Sequence, residues 1–127
     1  MERRLISGHS PYERVAGFSR AVLAGGEVHV AGTAPIPAAG ETPEGAYEQA
    51  RLCLEIVGGA LAQAGSRLED VVRTRIYLTD ARDWEDVSRA HGEVFGAIRP
   101  ASTAVVVRSL LDPGWRVEIE AQAVLQP

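Results

Sequence analysis

Arg116-Val117-Glu118-Ile119-Glu120-Ala121-Gln122-Ala123-Val124-Leu125 alternates apolar and polar side chains along its length. A period of two is the signature of a β-strand with one covered face. Val117, Ile119, Ala121 and Ala123 share one face. Glu118, Glu120 and Gln122 share the other. Val71 to Thr79 follows the same rule, with Val72, Thr74, Ile76 and Leu78 set against Arg73, Arg75 and Tyr77. Two such strands in one sheet give it an apolar side and a mixed acidic and basic side.

Working outward, Gly17 to Pro35 contains two β-prone runs around Gly25-Gly26. Paired glycines suit a two-residue hairpin turn because they accept positive φ. Pro35 to Gly40 is a loop by its proline and glycine content. Thr42-Pro43-Glu44 predicts a helix start, with Thr42 as cap and Pro43 in the first turn. Ala46, Ala50, Cys53, Leu54, Val57, Leu61 and Ala64 then recur at gaps of three and four, the stripe of a helix lying on a core. Gly65 ends it. Gly58-Gly59 would let this helix lie close on a sheet. A second helix, capped by Asp80 or Asp83, carries Trp84, Val87, Ser88, His91, Val94 and Phe95 and stops at Gly96 and Pro100. Thr103 to Ser109 reads as a fourth strand, followed by a turn at Leu111 to Gly114.

The predicted order is ββαβαββ. Two helices packed on one face of a mixed sheet make an α+β layer architecture, with the helices covering the apolar sides of the last three strands. The 127 residues fit one domain, its first 16 residues extended or mobile.

Composition narrows the function. Hydrophobic residues make up 46% and charged residues 24%, as in a globular chain. Seventeen acidic against 13 basic residues give a net charge of −4, which argues against a nucleic-acid partner. Cys53 is the only cysteine, so no internal disulfide forms. His9, His29, His91 and Cys53 make no metal set, and no glycine-rich phosphate motif occurs, so no cofactor is expected. The Met1-to-Ile6 stretch has basic residues with no apolar run behind them, and no run is long enough for a membrane span. A cytoplasmic location is the expectation. The polar sheet face is either solvated, with weak cross-strand pairs, or buried against other copies.

Four segments carry a family resemblance: Gly17-Phe18-Ser19-Arg20-Ala21-Val22, Val30-Ala31-Gly32-Thr33-Ala34-Pro35, Asp70-Val71-Val72-Arg73-Thr74-Arg75-Ile76-Tyr77, and the tail from Pro100-Ala101-Ser102-Thr103-Ala104-Val105 through Val117-Glu118-Ile119-Glu120-Ala121. Together they resemble the Rid/YjgF family over nearly the whole chain. The resemblance implies a chorismate-mutase-like fold and a homotrimer with three inter-subunit clefts. It implies hydrolysis of reactive enamines and imines to 2-oxo acids and ammonia, with a small organic acid or imine as partner. Glu118 matches the glutamate that handles water, and Gly32 matches a cleft glycine. Other positions depart from the pattern. Ser102 stands where an arginine clamps the substrate carboxylate, Phe18 where a tyrosine stands, Ala31 for a serine, Ser88 for an asparagine and Ala104 for a cysteine. The substrate range is therefore expected to be altered, or a cation to come from elsewhere. Arg75, Arg73, Arg20 and Arg99 are the candidates, and Arg75 joins the binding set.

Glu118 is the strongest site candidate, while Glu120 is more simply an ion-pair partner for an arginine two strands away in sequence. His91 reads as packed and hydrogen-bonded, and Cys53 as core. A non-catalytic metabolite-binding trimer is the alternative function. Ribonuclease activity, a label some family members carry, ranks below both.

Overall fold

The computed structural model describes residues 3–127. Among the described residues the strands and α-helices follow in the order β1 (Arg3–Ile6), α1 (Tyr12–Ala16), β2 (Ala21–Ala24), β3 (Glu27–Thr33), α2 (Ala46–Gln63), β4 (Val71–Leu78), α3 (Trp84–Phe95), β5 (Ala101–Val106) and β6 (Val117–Val124), with short 3-10 helices at Leu68–Asp70 and Ala81–Asp83. The strands form one six-stranded sheet in the order β1-β2-β3-β6-β4-β5. Only the β4–β5 pair is parallel, so the sheet is mixed. β1 and α1 add to the expected order, with β1 pairing along β2 at the sheet edge. Among the described residues no helix is long and apolar enough to cross a membrane.

The alternation that reads as a strand in β6 sorts its side chains as expected: Val117, Ile119, Ala121 and Ala123 are buried. They meet the α2 stripe, where Ala50, Cys53, Val57 and Leu61 have no exposed surface. Removing one such large side chain from water contributes about 1.5–3 kcal/mol. The hairpin turns at Gly25 (φ 61°) and Gly26 (φ 78°).

Several boundaries move, for physical reasons. α2 begins at Ala46, not at Pro43, because the Pro43 carbonyl accepts from the Gln49 side chain (2.8 Å). Gln49 is fully buried, donates also to the Gly114 carbonyl (2.9 Å) and accepts from the Arg116 amide (2.7 Å). One side chain thus ties the helix start to the entry of β6. Gly58 faces the Leu68 side chain and Gly59 faces open space, so neither brings α2 onto the sheet. β5 starts at Ala101, earlier than the expected Thr103, because parallel pairing with β4 begins at Arg73 opposite Ala101. Val72 is 45% exposed rather than in the core; a bulge between Val71 and Arg73 hands the core position to Val71.

The expected cover of the last three strands fails at β5. Every residue of β5 is exposed, including Val105 and Val106. α3 packs on α2 through Val87, Ala90 and Phe95 and stands off β5. The gap becomes a cavity.

Candidate functional site

Glu118 lies on the sheet face that the helices leave open, opposite Tyr77 of β4. β3 bulges beside it between Val30 and Thr33, a span containing Ala31 and Gly32. Bulges re-aim a strand locally. Here the bulge brings Gly32 so close that a Cβ on it would stand 3.1 Å from Glu118 Oε1. Burial pushes the Glu118 carboxyl above the usual carboxylate range; Arg20 opposes the shift and Glu120 adds to it.

Arg20 is the cation beside this carboxylate. It is 5% exposed, donates from Nη2 to the Gly32 carbonyl (2.7 Å) and lies 5.7 Å from the Phe18 ring centroid. Glu13, 8% exposed, acts on Arg20 from α1, and burial lowers the guanidinium's pKa against the pull of both carboxylates. Phe18 and Ala31 line a depression of about 550 Å³ on the open face, with His29. Arg75 is engaged elsewhere: its guanidinium donates to Glu120 (3.2 Å), which also accepts from the Tyr77 hydroxyl (2.9 Å). The simpler reading of Glu120 is the observed one.

Ser102 and Ser88 sit on the other side of the sheet. A cavity of about 690 Å³ opens between α3 and β5, and both serines line it with His91. Its walls include Leu78, Trp84, Val105 and Val106. Ser88 Oγ donates to the Glu85 carbonyl (3.0 Å). Thr74, fully buried, has its hydroxyl 2.8 Å from Ser102 Oγ and 2.9 Å from His91 Nε2. His91 also packs on Phe95 at 4.7 Å, and burial pushes its imidazole below the usual value. Cys53 is wholly buried and burial pushes its thiol up, so it belongs to the core.

The six sequence-predicted binding residues and Glu118 therefore divide. Phe18, Ala31, Gly32, Arg75 and Glu118 are on the open face. Ser88 and Ser102 are on the helical side. Two participants escape a reading of the sequence. Thr74 shows only as a hydroxyl at a core position of an otherwise apolar face, and Glu13 falls in a stretch taken as extended or mobile. Thr74→Val keeps the side-chain shape but leaves His91 Nε2 without its partner. Urea unfolding is expected to show a loss of about 1–3 kcal/mol.

The family model described as endoribonuclease L-PSP matches residues 8–125. A crystal structure of a Mycobacterium tuberculosis member of the YjgF/YER057c/UK114 family superposes with a TM-score of 0.90 at 43% identity, covering 98% of this chain and 100% of that one. An uncharacterized protein of Streptomyces coelicolor is 41% identical over 122 residues, 95% of this chain and 90% of its own length. A 2-iminobutanoate/2-iminopropanoate deaminase of Capra hircus is 34% identical over 98% of this chain and 92% of its own length.

Proposed function

The chain belongs to the endoribonuclease L-PSP family, the YjgF/RidA group, and on that premise we propose that it hydrolyses small enamines or imines in clefts formed between three copies of itself. The observation that carries the reading is Glu118: a half-buried carboxyl with a raised pKa, set against the Gly32 bulge and a buried arginine. Such a group is suited to general acid–base work. It takes a proton from water as the water oxygen bonds to the imine carbon. The C=N π pair moves to nitrogen, which takes that proton to give a carbinolamine; Glu118 then takes the hydroxyl proton and passes it to the amino nitrogen as the C–N bond breaks, leaving a carbonyl and ammonia. The deaminase name of the Capra hircus relative supports this chemistry.

The division of the site supports assembly. Glu118 and Ser102 face opposite sides of one sheet, so a cleft using both takes them from different copies. The open face carrying Arg75, Tyr77 and Glu120 is the surface to be buried. Sedimentation is expected to give three times the 13.6 kDa chain mass. With 2-aminoacrylate and related imines generated in situ, ammonia release is expected above the spontaneous rate. A monomer at micromolar concentration, or ammonia release no faster than in buffer, counts against the proposal.

One observation favours a second reading, a trimer that binds a metabolite without turning it over. The Ser102 cavity carries no arginine in its lining. A ligand that raises the melting temperature with no ammonia release from any imine tested would select it.

A further inference from the structure

We infer that the cavity between α3 and β5 takes an uncharged ligand with an apolar body, so that this protein's substrates are imines or enamines without a carboxylate on the reacting carbon. The inference rests on the reading of that cavity as half of the cleft, and deepens it.

Charge is the first argument. No lining residue of the cavity is an Asp, Glu, Lys or Arg, and its one titratable group, His91, is kept toward the neutral form by burial. Two of the candidate arginines are committed in each copy. Arg20 is buried behind Gly32, and Arg75 pairs with Glu120, both on the other face. Arg99 lines an adjoining depression that shares His91 and Gly92 with the cavity, and is not among the cavity's own lining residues. A carboxylate entering this cavity would lose its hydration and meet no cation among the residues that line it.

Shape and hydrogen bonding are the second. Trp84, Val105 and Val106 are 44%, 44% and 54% exposed and face the gap with Leu78. An apolar body covers them; a carboxylate does not. At the end of the cavity, the His91–Thr74–Ser102 chain has one hydrogen per hydroxyl and a neutral ring that donates or accepts at Nε2. The chain therefore runs with either polarity. Ser102 offers a lone pair to an imine N–H, or its hydrogen to the carbonyl that replaces it. Both are neutral groups of the same small size.

The test uses matched neutral and anionic probes: phenylacetamide against phenylacetate, and isovaleramide against isovalerate, by titration calorimetry on the intact assembly at pH 7.5. The wild type is expected to bind each amide at least about tenfold tighter than its carboxylate. Ser102→Ala is expected to weaken amide binding about three- to tenfold, the loss of one neutral hydrogen bond. Ser102→Arg is expected to reverse the preference. Equal or tighter carboxylate binding by the wild type, no binding of either amide, or amide binding indifferent to Ser102→Ala overturns the inference. The hydrolase reading is judged separately, by ammonia release. Turnover of carboxylated imines with no amide preference leaves the hydrolase and removes this inference; Ser102-dependent amide binding without turnover of any imine does the reverse.

Discussion

Glu118→Gln is expected to lower imine hydrolysis by about 10²–10⁴-fold, the usual size of a general acid–base contribution, with the assembly and the fold intact. Glutamine keeps the side chain's shape beside Gly32, where an added Cβ would stand 3.1 Å from the carboxyl oxygen. It removes only the ability to take a proton. The pH dependence gives an independent check. Burial raises the folded-state pKa of Glu118 above its unfolded value. The proton-bound form is therefore favoured in the fold. Its contribution to stability is full below the ordinary glutamate value of about 4.3 and is lost as pH rises through the raised value. Wild type should lose stability relative to Glu118→Gln between those limits, and the variant should melt no lower than wild type at pH 7.5. In the kinetics the sign is the other way. The ionised carboxylate is the base, so wild-type kcat/KM should fall on the acid side with a limb above the ordinary carboxylate range. Activity retained within about threefold in the variant would remove Glu118 from the chemistry. Activity lost together with the cooperative melt would assign it a structural role.

Regular alternation and regular spacing made most of the architecture legible. Period two in β6 and β4, and gaps of three and four in α2, each act over many residues, and the burial of Val117, Ile119, Cys53 and Val57 follows from them. Glu118 and Gly32 were legible for another reason: a resemblance points to the positions, and a strand rule puts Glu118 on the polar face. What sequence does not carry is what depends on a single residue meeting something far along the chain. Val72 leaves the core because one extra residue enters β4 opposite β6, and no local pattern announces a bulge. α2 starts late because Gln49 reaches Pro43 and Gly114 at once. The exposure of β5 follows from where α3 finds its partner, on α2 rather than on the sheet. The division of the site between two faces is of the same kind. Ser102 could be aligned, but its direction is fixed by pairing opposite Thr74 in a parallel register.

The choice among four arginines shows the same limit and leads to the largest stability effect. Arg20→Met is expected to destabilise the protein by about 3–5 kcal/mol, the range for removing one partner from a buried charge set. For a chain of this size that lowers the melting temperature by roughly 10–20 °C. The methionine fills most of the volume of the arginine stem. What it cannot replace is charge. Glu13 and Arg20 are 8% and 5% exposed, and each keeps a buried polar atom, Glu13 Oε2 and Arg20 Nε, with no hydrogen-bond partner among the described residues. With little water to screen them, the Arg20 charge acts on both Glu13 and Glu118 and offsets the cost of two carboxylates in one region. Its removal also frees the Gly32 carbonyl at the bulge. A cycle separates charge from packing: Glu13→Gln in the Arg20→Met background should recover a substantial part of the loss, since it removes the stranded carboxylate, whereas it should be mildly destabilising alone. Melting at one fixed protein concentration keeps assembly from entering the comparison. The kinetic consequence has a definite sign. Arg20 holds the Glu118 pKa down against burial, so Arg20→Met should move the acid limb of the pH–rate profile upward. A variant that melts with the wild type would show that burial of Glu13 does not depend on Arg20. An unmoved acid limb would show that the guanidinium does not act on Glu118.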